Sequence, residues 1–477
     1  TQDEIASLGQ VIAFLPAYHR TCAPFCAPKG MEGSHMTYPY RMMDRLFLFL
    51  YSLLWTIGLP VVIVYLWKRS WKEPLYFSTL VERFGGGAAP ISGAIWVHAV
   101  SLGELRAAQP LISALLVRGE KILISTMTAA GRKAALSTFA QDIDRGQVHL
   151  TWVPFDAPWV VRRFLRRHKP TCGMILEIEL WPGLIAAAAS CKVPLIMAQA
   201  QYPIRSFLRD KSWPALRRHL VRGFSLIMAK SFTHASRFQD CGAAPIEVMG
   251  ELRFELPIPA AHLMAAKTLR QKIGERPVFC FASTHPDEDA LLAPVLEGLQ
   301  QSGLNPFFVY VPRHPAEFNA TADKLATNGL KMLRRSEHLT RELSCALISL
   351  DSYDGLFGDS IGEINFYFKI SEQIFMGDSF IDEGSHNIIE PLRLFKPVTV
   401  GPSIWGIEYP ATEALAAGIL TRVASPQDLL DHWLKIGRGE DLALERDRVV
   451  AFVAEHGGAT DRALSLLTQY KFLNFTI

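Results

Sequence analysis

"AIWVHAVSLGELRAAQPLISALLVRGEKILISTM" (Ala94 to Met127) opens on a near-continuous apolar run, breaks at Ser-Leu-Gly, and continues into an alanine-rich amphipathic stretch. It closes on a second apolar run, KILISTM. Apolar residues without polar alternation mark strands buried on both faces, and the stretch between them has helical spacing. Strand, helix and strand in that order predict a parallel pair joined by a helical crossover. The pattern continues outward through "VHLTWVPF", "CGMILEIE", "PLIMAQA", "LIMAKS" and "IEVMG". It pauses at "GELRFELPIPA" (Gly250 to Ala260), whose two prolines read as a linker. A second series then begins with "VFCFAST", "FFVYVPR", "CALISLD", "QIFMGDS", "PVTVGP" and "ILTRVAS". The expected fold class is α/β, with two doubly wound Rossmann-like domains facing a central cleft. Each sheet then has its ligand-binding edge at the C-terminal ends of its strands.

The whole chain agrees with this reading. Its 477 residues suffice for two or three domains, and 49% hydrophobic with 20% charged residues describes a globular but greasy protein. A net charge of +3 is too small to argue for nucleic acid. Basic residues cluster at Arg162–Lys169 ("RRFLRRHK") and again at Arg205, Arg209, Lys211, Arg217, Arg218 and Arg222. Such clusters read as solvated helix faces or as surfaces facing phosphates or anionic lipid. The seven cysteines include no CxxC pair, so neither a disulfide framework nor a zinc site is expected.

Residues 1–36 lack sustained periodicity and end in Gly33-Ser34-His35-Met36, as a tag remnant or extension would. Next, "LFLFLYSLLWTIGLPVVIVYLW" (Leu46 to Trp67) holds no charge and is flanked by Arg45, Lys68 and Arg69. It is long enough to span a hydrocarbon core of ~30 Å. Its Tyr and Trp residues equally suit a helix lying in the interface, and a buried hairpin is the third reading. Lys68, Arg69 and Lys72 favour a cytoplasmic body. The expected organisation is a membrane-anchor segment at 37–75, an acceptor-binding domain at 76–256, a donor-binding domain at 257–430, and C-terminal helices at 431–477 packing back on the first domain.

Candidate chemistry sits after the apolar strands. The chain has no GxGxxG, no GxxxxGK[ST] and no HExxH. Asp287-Glu288-Asp289 reads as the acidic first turn of a helix rather than as a metal-binding DxD. Glu104, taken alone, reads as dipole-complementing, and Ser283 and Thr284 as caps of the following helix. Arg313 and His314 fit a surface loop, and His386 a hydrogen-bonded turn. "SHNIIEP" says more: Ser385 or Asn387 would cap a helix carrying Glu390, leaving backbone N–H groups for an anion. A carboxylate in one domain facing phosphate-binding turns in the other describes a nucleotide-sugar transferase of the GT-B fold.

These motifs, in order, resemble a known family. "RFG" (Arg83–Gly85), "WVHAVSLGE", "E-x-ELWP" (Glu177–Pro182), "ASTH" (Ala282–His285), "VPRHP" (Val311–Pro315), "DSIGE" (Asp359–Glu363) and "GSHNIIEP" (Gly384–Pro391) are similar to those of the 3-deoxy-D-manno-octulosonic acid (Kdo) transferases of lipopolysaccharide assembly. The resemblance implies an inverting, membrane-associated GT-B enzyme at the cytoplasmic face of the inner membrane. Its implied donor is CMP-Kdo and its acceptor a lipid A precursor (lipid IVA), with no metal, no cofactor and no nucleic acid. By motif match, Glu104 is the general base. Ser283, Thr284, Arg313, His314, Gly362, Glu363, Asn387 and Glu390 are donor-side, and Ser101, Gly103, Glu177, Glu179 and Arg205 acceptor-side. The basic clusters acquire anionic lipid and lipid A phosphates as partners.

The sequence departs from the family pattern at several points. The usual Asn-Ala-Arg-x-Ser is Gln199-Ala200-Gln201-Tyr202-Pro203, and the usual Gly-Asn-Leu-Lys is Gly250-Glu251-Leu252-Arg253. The usual Gly-Gly-His-Asn reads Gly384-Ser385-His386-Asn387, and the usual Glu-Thr-Glu reads Glu177-Ile178-Glu179. The lost cation at Gln201 leaves two alternatives: a membrane-anchored nucleotide- or lipid-binding pseudo-enzyme, or a GT-B enzyme using another nucleotide sugar.

Overall fold

A computed structural model describes residues 42–87, 89–211, 214–243, 245–438 and 442–473. The expected tag or extension at 1–36, with Cys22 and Cys26, lies outside the described residues.

The first parallel sheet contains β1 (Ile95–His98), β2 (Ile122–Thr126), β3 (Val148–Trp152), β4 (Cys172–Leu176), β5 (Leu195–Ala200), β6 (Leu226–Ala229) and β7 (Ile246–Val248). Their spatial order is β3-β2-β1-β4-β5-β6-β7. β1 therefore pairs with β2 on one side and β4 on the other, with His98 opposite both Ser125 and Ile175. The crossovers turn to opposite faces on either side of β1, and the crevice between β1 and β4 is where such a sheet takes its ligand. β1, β2 and β4 are buried along their whole length. Helix Ala459–Gln469, near the C-terminus, returns to this sheet, placing Ala459, Ala463 and Leu467 in one core with Ile95 and Val97.

The second sheet holds β8 (Val278–Thr284), β9 (Phe307–Pro312), β10 (Met332–Arg334), β11 (Gly355–Phe357), β12 (Gln373–Met376), β13 (Val398–Val400) and β14 (Leu420–Arg422). Their order, β10-β11-β9-β8-β12-β13-β14, puts the reversal between β8 and β12. The molecule is thus α/β with two doubly wound sheets, as expected.

One expected strand is absent. "CALISLD" (Cys345–Asp351) forms a single antiparallel bridge, Leu339 to Cys345, and no ladder. Basic side chains take its carbonyls: Lys272 Nζ donates to Cys345 O and Leu347 O, both at 2.7 Å, and Arg276 to Leu350 O at 3.4 Å. The sheet edge is built instead by the three-residue β10 and β11.

The apolar N-terminal segment is one helix, Met42–Ser70, with Pro60 inside it. Only 6% of its most apolar window is buried, which rules out the buried hairpin. One face nevertheless packs on the body. Leu59 and Leu66 share a core with Tyr76, Trp152, Phe155 and Val160, Trp55 meets Phe155, and Tyr51 OH donates to Asp156 Oδ2 at 2.6 Å.

Candidate active site

Ser101 ends the β1 turn and caps helix Leu102–Val117, its Oγ accepting the Glu104 N–H at 3.2 Å. Glu104 answers by folding back: Val100 N–H donates to Oε2 at 2.6 Å and Ser101 Oγ to Oε1 at 3.1 Å. This reciprocal cap holds the carboxylate in a first turn where Gly103 is exposed and Glu104 is 8% exposed. Burial, then the nearby Glu177, push its pKa up to about 7, against the hydrogen bond from Val100. The helix start does not win here; desolvation does.

Across the switch point, β4 delivers Glu177 and Glu179. Glu177 has φ +56°, a left-handed conformation rare for a residue with a side chain. Burial raises its pKa, but Lys230 and Arg253 outweigh burial and hold the carboxyl below its ordinary range. Glu179 accepts from Trp181 Nε1 at 2.6 Å, and burial raises it. Two neighbouring carboxylates pushed in opposite directions are the usual mark of divided acid–base roles.

The departures at Gln199, Gln201, Glu251 and Arg253 converge on one network. Gln201 Nε2 donates to Glu177 Oε2 at 2.8 Å, and its Oε1 accepts from Lys230 Nζ at 3.0 Å. Gln199 Nε2 donates to Glu251 Oε1 at 2.7 Å. Arg253 reaches Glu177 at 3.0 Å and Glu251 at 3.7 Å. Two cations therefore still stand beside Glu177, Arg253 at 3.0 Å and Lys230, the residue after β6, at 3.4 Å, instead of one at position 201.

Of the residues expected on the donor side, Ser283, Thr284, Asn387 and Glu390 follow β8 and β12 at the second switch point and Arg313 and His314 follow the adjacent β9, whereas Gly362 and Glu363 follow β11, farther out in the sheet. Ser283 has φ +57°, and Arg313 N–H donates to Thr284 O at 3.0 Å, tying the ends of β8 and β9 together. Arg313 and His314 are exposed. Ser283 and Thr284 do not cap the next helix. His285 does, in a capping box with Glu288, because the chain turns helical only at Pro286. After β12, His386 Nε2 lies 2.7 Å from Asp378 Oδ2. Burial lowers the His386 pKa, and Asp378 opposes this. Gly384, at φ +93°, lets this loop pass Trp405 and Gly406: a Cβ there would meet Gly406 N at 2.6 Å.

Asn387 Oδ1 accepts from Ile389 N–H at 3.1 Å, as a capping residue would, but the helix it precedes is only Ile389–Arg393. Glu390 has its pKa raised by burial, with Arg253 and Arg393 opposing. Glu363 follows Gly362 (φ +89°) and forms a bidentate ion pair with Arg335, while Ser360 Oγ also donates to it. Arg205 stands apart from the Glu104 group. It pairs with Asp382 at 3.1 Å and lies over the Trp405 ring at 4.0 Å, so it joins the two halves.

Lys230 and Arg335 escaped the reading of the sequence, and so did the contacts of Glu251 and Glu288, which were noted only as a departure from the family pattern and as a first-turn acid. The Glu288 carboxylate accepts the N–H groups of Asp378, Ser379 and Phe380 at 2.6, 2.9 and 2.8 Å, fixing the loop after β12. Its signal was the spacing of three from the His285 cap. That of Lys230 was a lysine closing a buried strand.

Residues 78–256 match the family model described as 3-deoxy-D-manno-octulosonic-acid transferase (kdotransferase). A 3-deoxy-D-manno-octulosonic acid transferase of Bordetella pertussis is 35% identical, the match covering 86% of this chain and 96% of that protein. One from Haemophilus influenzae is 28% identical, over 88% and 98%. The structure of a UDP-GlcNAc 2-epimerase from Neisseria meningitidis superposes with a TM-score of 0.55 at 14% identity, covering 79% of this chain and all of that one, a likeness of fold. The chain belongs to the 3-deoxy-D-manno-octulosonic acid transferase family, glycosyltransferases with the GT-B fold.

Proposed function

We propose that the protein moves Kdo from CMP-Kdo to a lipid A precursor, lipid IVA, with inversion, in lipopolysaccharide core synthesis at the cytoplasmic face of the inner membrane. Glu104 takes the proton of the acceptor hydroxyl as that oxygen attacks the anomeric carbon. The bond from that carbon to the phosphate oxygen breaks, and CMP departs with the electron pair. Arg313 and the backbone N–H groups of the β8 and β12 turns stabilise the phosphate charge. Asn387 and Glu390 face the donor's polar groups. One observation carries the base assignment: a buried carboxyl at the β1–β4 switch point with its pKa pushed up to about 7, where a general base works best at neutral pH.

The same reading fits the attachment of helix Met42–Ser70. Tyr51, Trp55, Leu59 and Leu66 hold it along the body, while Phe49, Leu54, Ile57 and Val61 on its free face are more than 60% exposed. A helix fastened along ~22 Å of its length lies in the membrane interface rather than across the bilayer. The test of function is mass spectrometry of the lipid product. Detergent-solubilised protein with CMP-Kdo and lipid IVA yields a Kdo-lipid adduct, and Glu104→Gln binds CMP but lowers turnover by ~10³-fold. Near-normal turnover in that variant overturns the base assignment.

A further inference from the structure

Glu177 has no free oxygen. Arg253 Nη2 and Lys230 Nζ lie 3.0 and 3.4 Å from Oε1, and Gln201 Nε2 donates to Oε2 at 2.8 Å. Lys230 is the partner shut off from water, its side chain 2% exposed. Its ammonium also donates to Gln201 Oε1 at 3.0 Å and sits 3.3 Å from Glu251 Oε2. Glu251 is 1% exposed and is held in turn by Gln199 Nε2 and by Arg253 N–H at 3.1 Å. An ammonium this deeply buried is costly unless its partners are fixed, and here every partner is fixed by another member of the cluster.

The surrounding charges are few. Glu104 faces Glu177 and Glu179, and Arg253 faces Glu177, Glu251 and Glu390. Lys230 has His234 beside it as well as its two carboxylates. Two carboxylates at close quarters without a cation share a proton, and the pair holds it more tightly than either alone. We propose that Lys230 is a positioning residue for the Glu104 base: together with Arg253 it holds Glu177 as a carboxylate, so that the proton leaving the acceptor goes to Glu104. This rests on the reading of Glu104 as general base. The division of labour is then set from β6, on the far side of β5 from the strand that carries Glu177.

The test is the pH dependence of kcat/KM for Kdo transfer by the full-length protein, compared with Lys230→Gln and Lys230→Arg. In Lys230→Gln the acid limb moves upward by about one pH unit or more, and the loss of activity at pH 7 shrinks toward pH 9. Lys230→Arg keeps the wild-type limb, because its charge still pairs Glu177. An unmoved limb in Lys230→Gln, or a loss of equal size at every pH, overturns the proposal. If that variant does not fold by thermal melt, Gln201→Met removes one donor to Glu177 and one acceptor for Lys230, and its limb must move the same way; an unmoved limb there overturns the proposal too. Glu104→Gln separates the two readings. Turnover in it removes the base and with it this role, whereas an inactive Glu104→Gln beside an unmoved Lys230→Gln limb removes only the role of Lys230.

Discussion

A carboxyl at a helix start is drawn toward ionisation by the N–H groups around it and away from ionisation by burial. At Glu104 burial prevails, and the consequence is measurable as stability. Folding raises its pKa from 4.5 to about 7, so the native state binds this proton more tightly than the unfolded chain does. No penalty exists below pH 4.5; it grows as pH rises toward 7 and is complete above that. The penalty amounts to about 3 kcal/mol. Glu104→Gln removes it while weakening the bond from Val100, so we expect a net gain of about 1–2 kcal/mol at pH 8 that vanishes by pH 4.5. Denaturant unfolding at the two pH values checks this. Burial raises the Glu288 carboxyl too, but its Gln variant is expected to lose stability rather than gain it. Its two oxygens accept four backbone N–H groups, those of His285, Asp378, Ser379 and Phe380, and Glu288→Gln turns an amide NH₂ toward at least one of them. The loss should be about 2–3 kcal/mol together with weaker CMP binding by calorimetry. Glu104 was singled out only through its match to the family's motif; taken alone it read as dipole-complementing, because the burial that raises it is not written in its neighbours along the chain. Lys230 and Glu251 were not legible, because the residues that give each its meaning come from other strands and turns.

Among the elements, helix Met42–Ser70 shows what composition leaves open. Hydropathy identified it as membrane-competent, but its attachment to the body depends on partners far along the chain. Asp156 is the joint: it accepts from Tyr51 and also caps helix Pro182–Cys191, taking the N–H groups of Gly183 at 3.0 Å and Leu184 at 2.6 Å. That helix begins beside Trp181, which holds Glu179, so helix Met42–Ser70 and the carboxylates after β4 share one support. Leu54→Asp with Ile57→Asp, both on the exposed face, should release the protein from anionic vesicles in flotation while leaving its melting temperature within a few degrees. Melting temperature and vesicle binding falling together would place that face inside the fold. The strand misread at Cys345–Asp351 has the same origin: apolar periodicity cannot reveal that Lys272 takes the carbonyls a ladder would need.

At the scale of the molecule, the alternating pattern from Ala94 onward foretold both sheets, and the motifs after β1, β4, β8 and β12 fall at the two switch points, while the one after β11 does not. The joining of the halves was not legible. Arg237 forms a bidentate pair with Glu408 and also donates to Tyr202 O at 2.7 Å, and Ile204 N–H donates to Glu408 at 3.1 Å. With Arg205 on Asp382, these contacts tie the segment after β5 to the second half, which is why Arg205 does not join Glu177 and Glu179. A double-mutant cycle of Arg237→Ala and Glu408→Ala should return a coupling of about 1–3 kcal/mol; a value near zero would make the contact incidental. The central claim is that Glu104 is the base, and the pH dependence of wild-type kcat/KM for transfer from CMP-Kdo to lipid IVA tests it most directly. The account predicts an acid limb with its midpoint at about 7. A rate already at its plateau at pH 5 would contradict it.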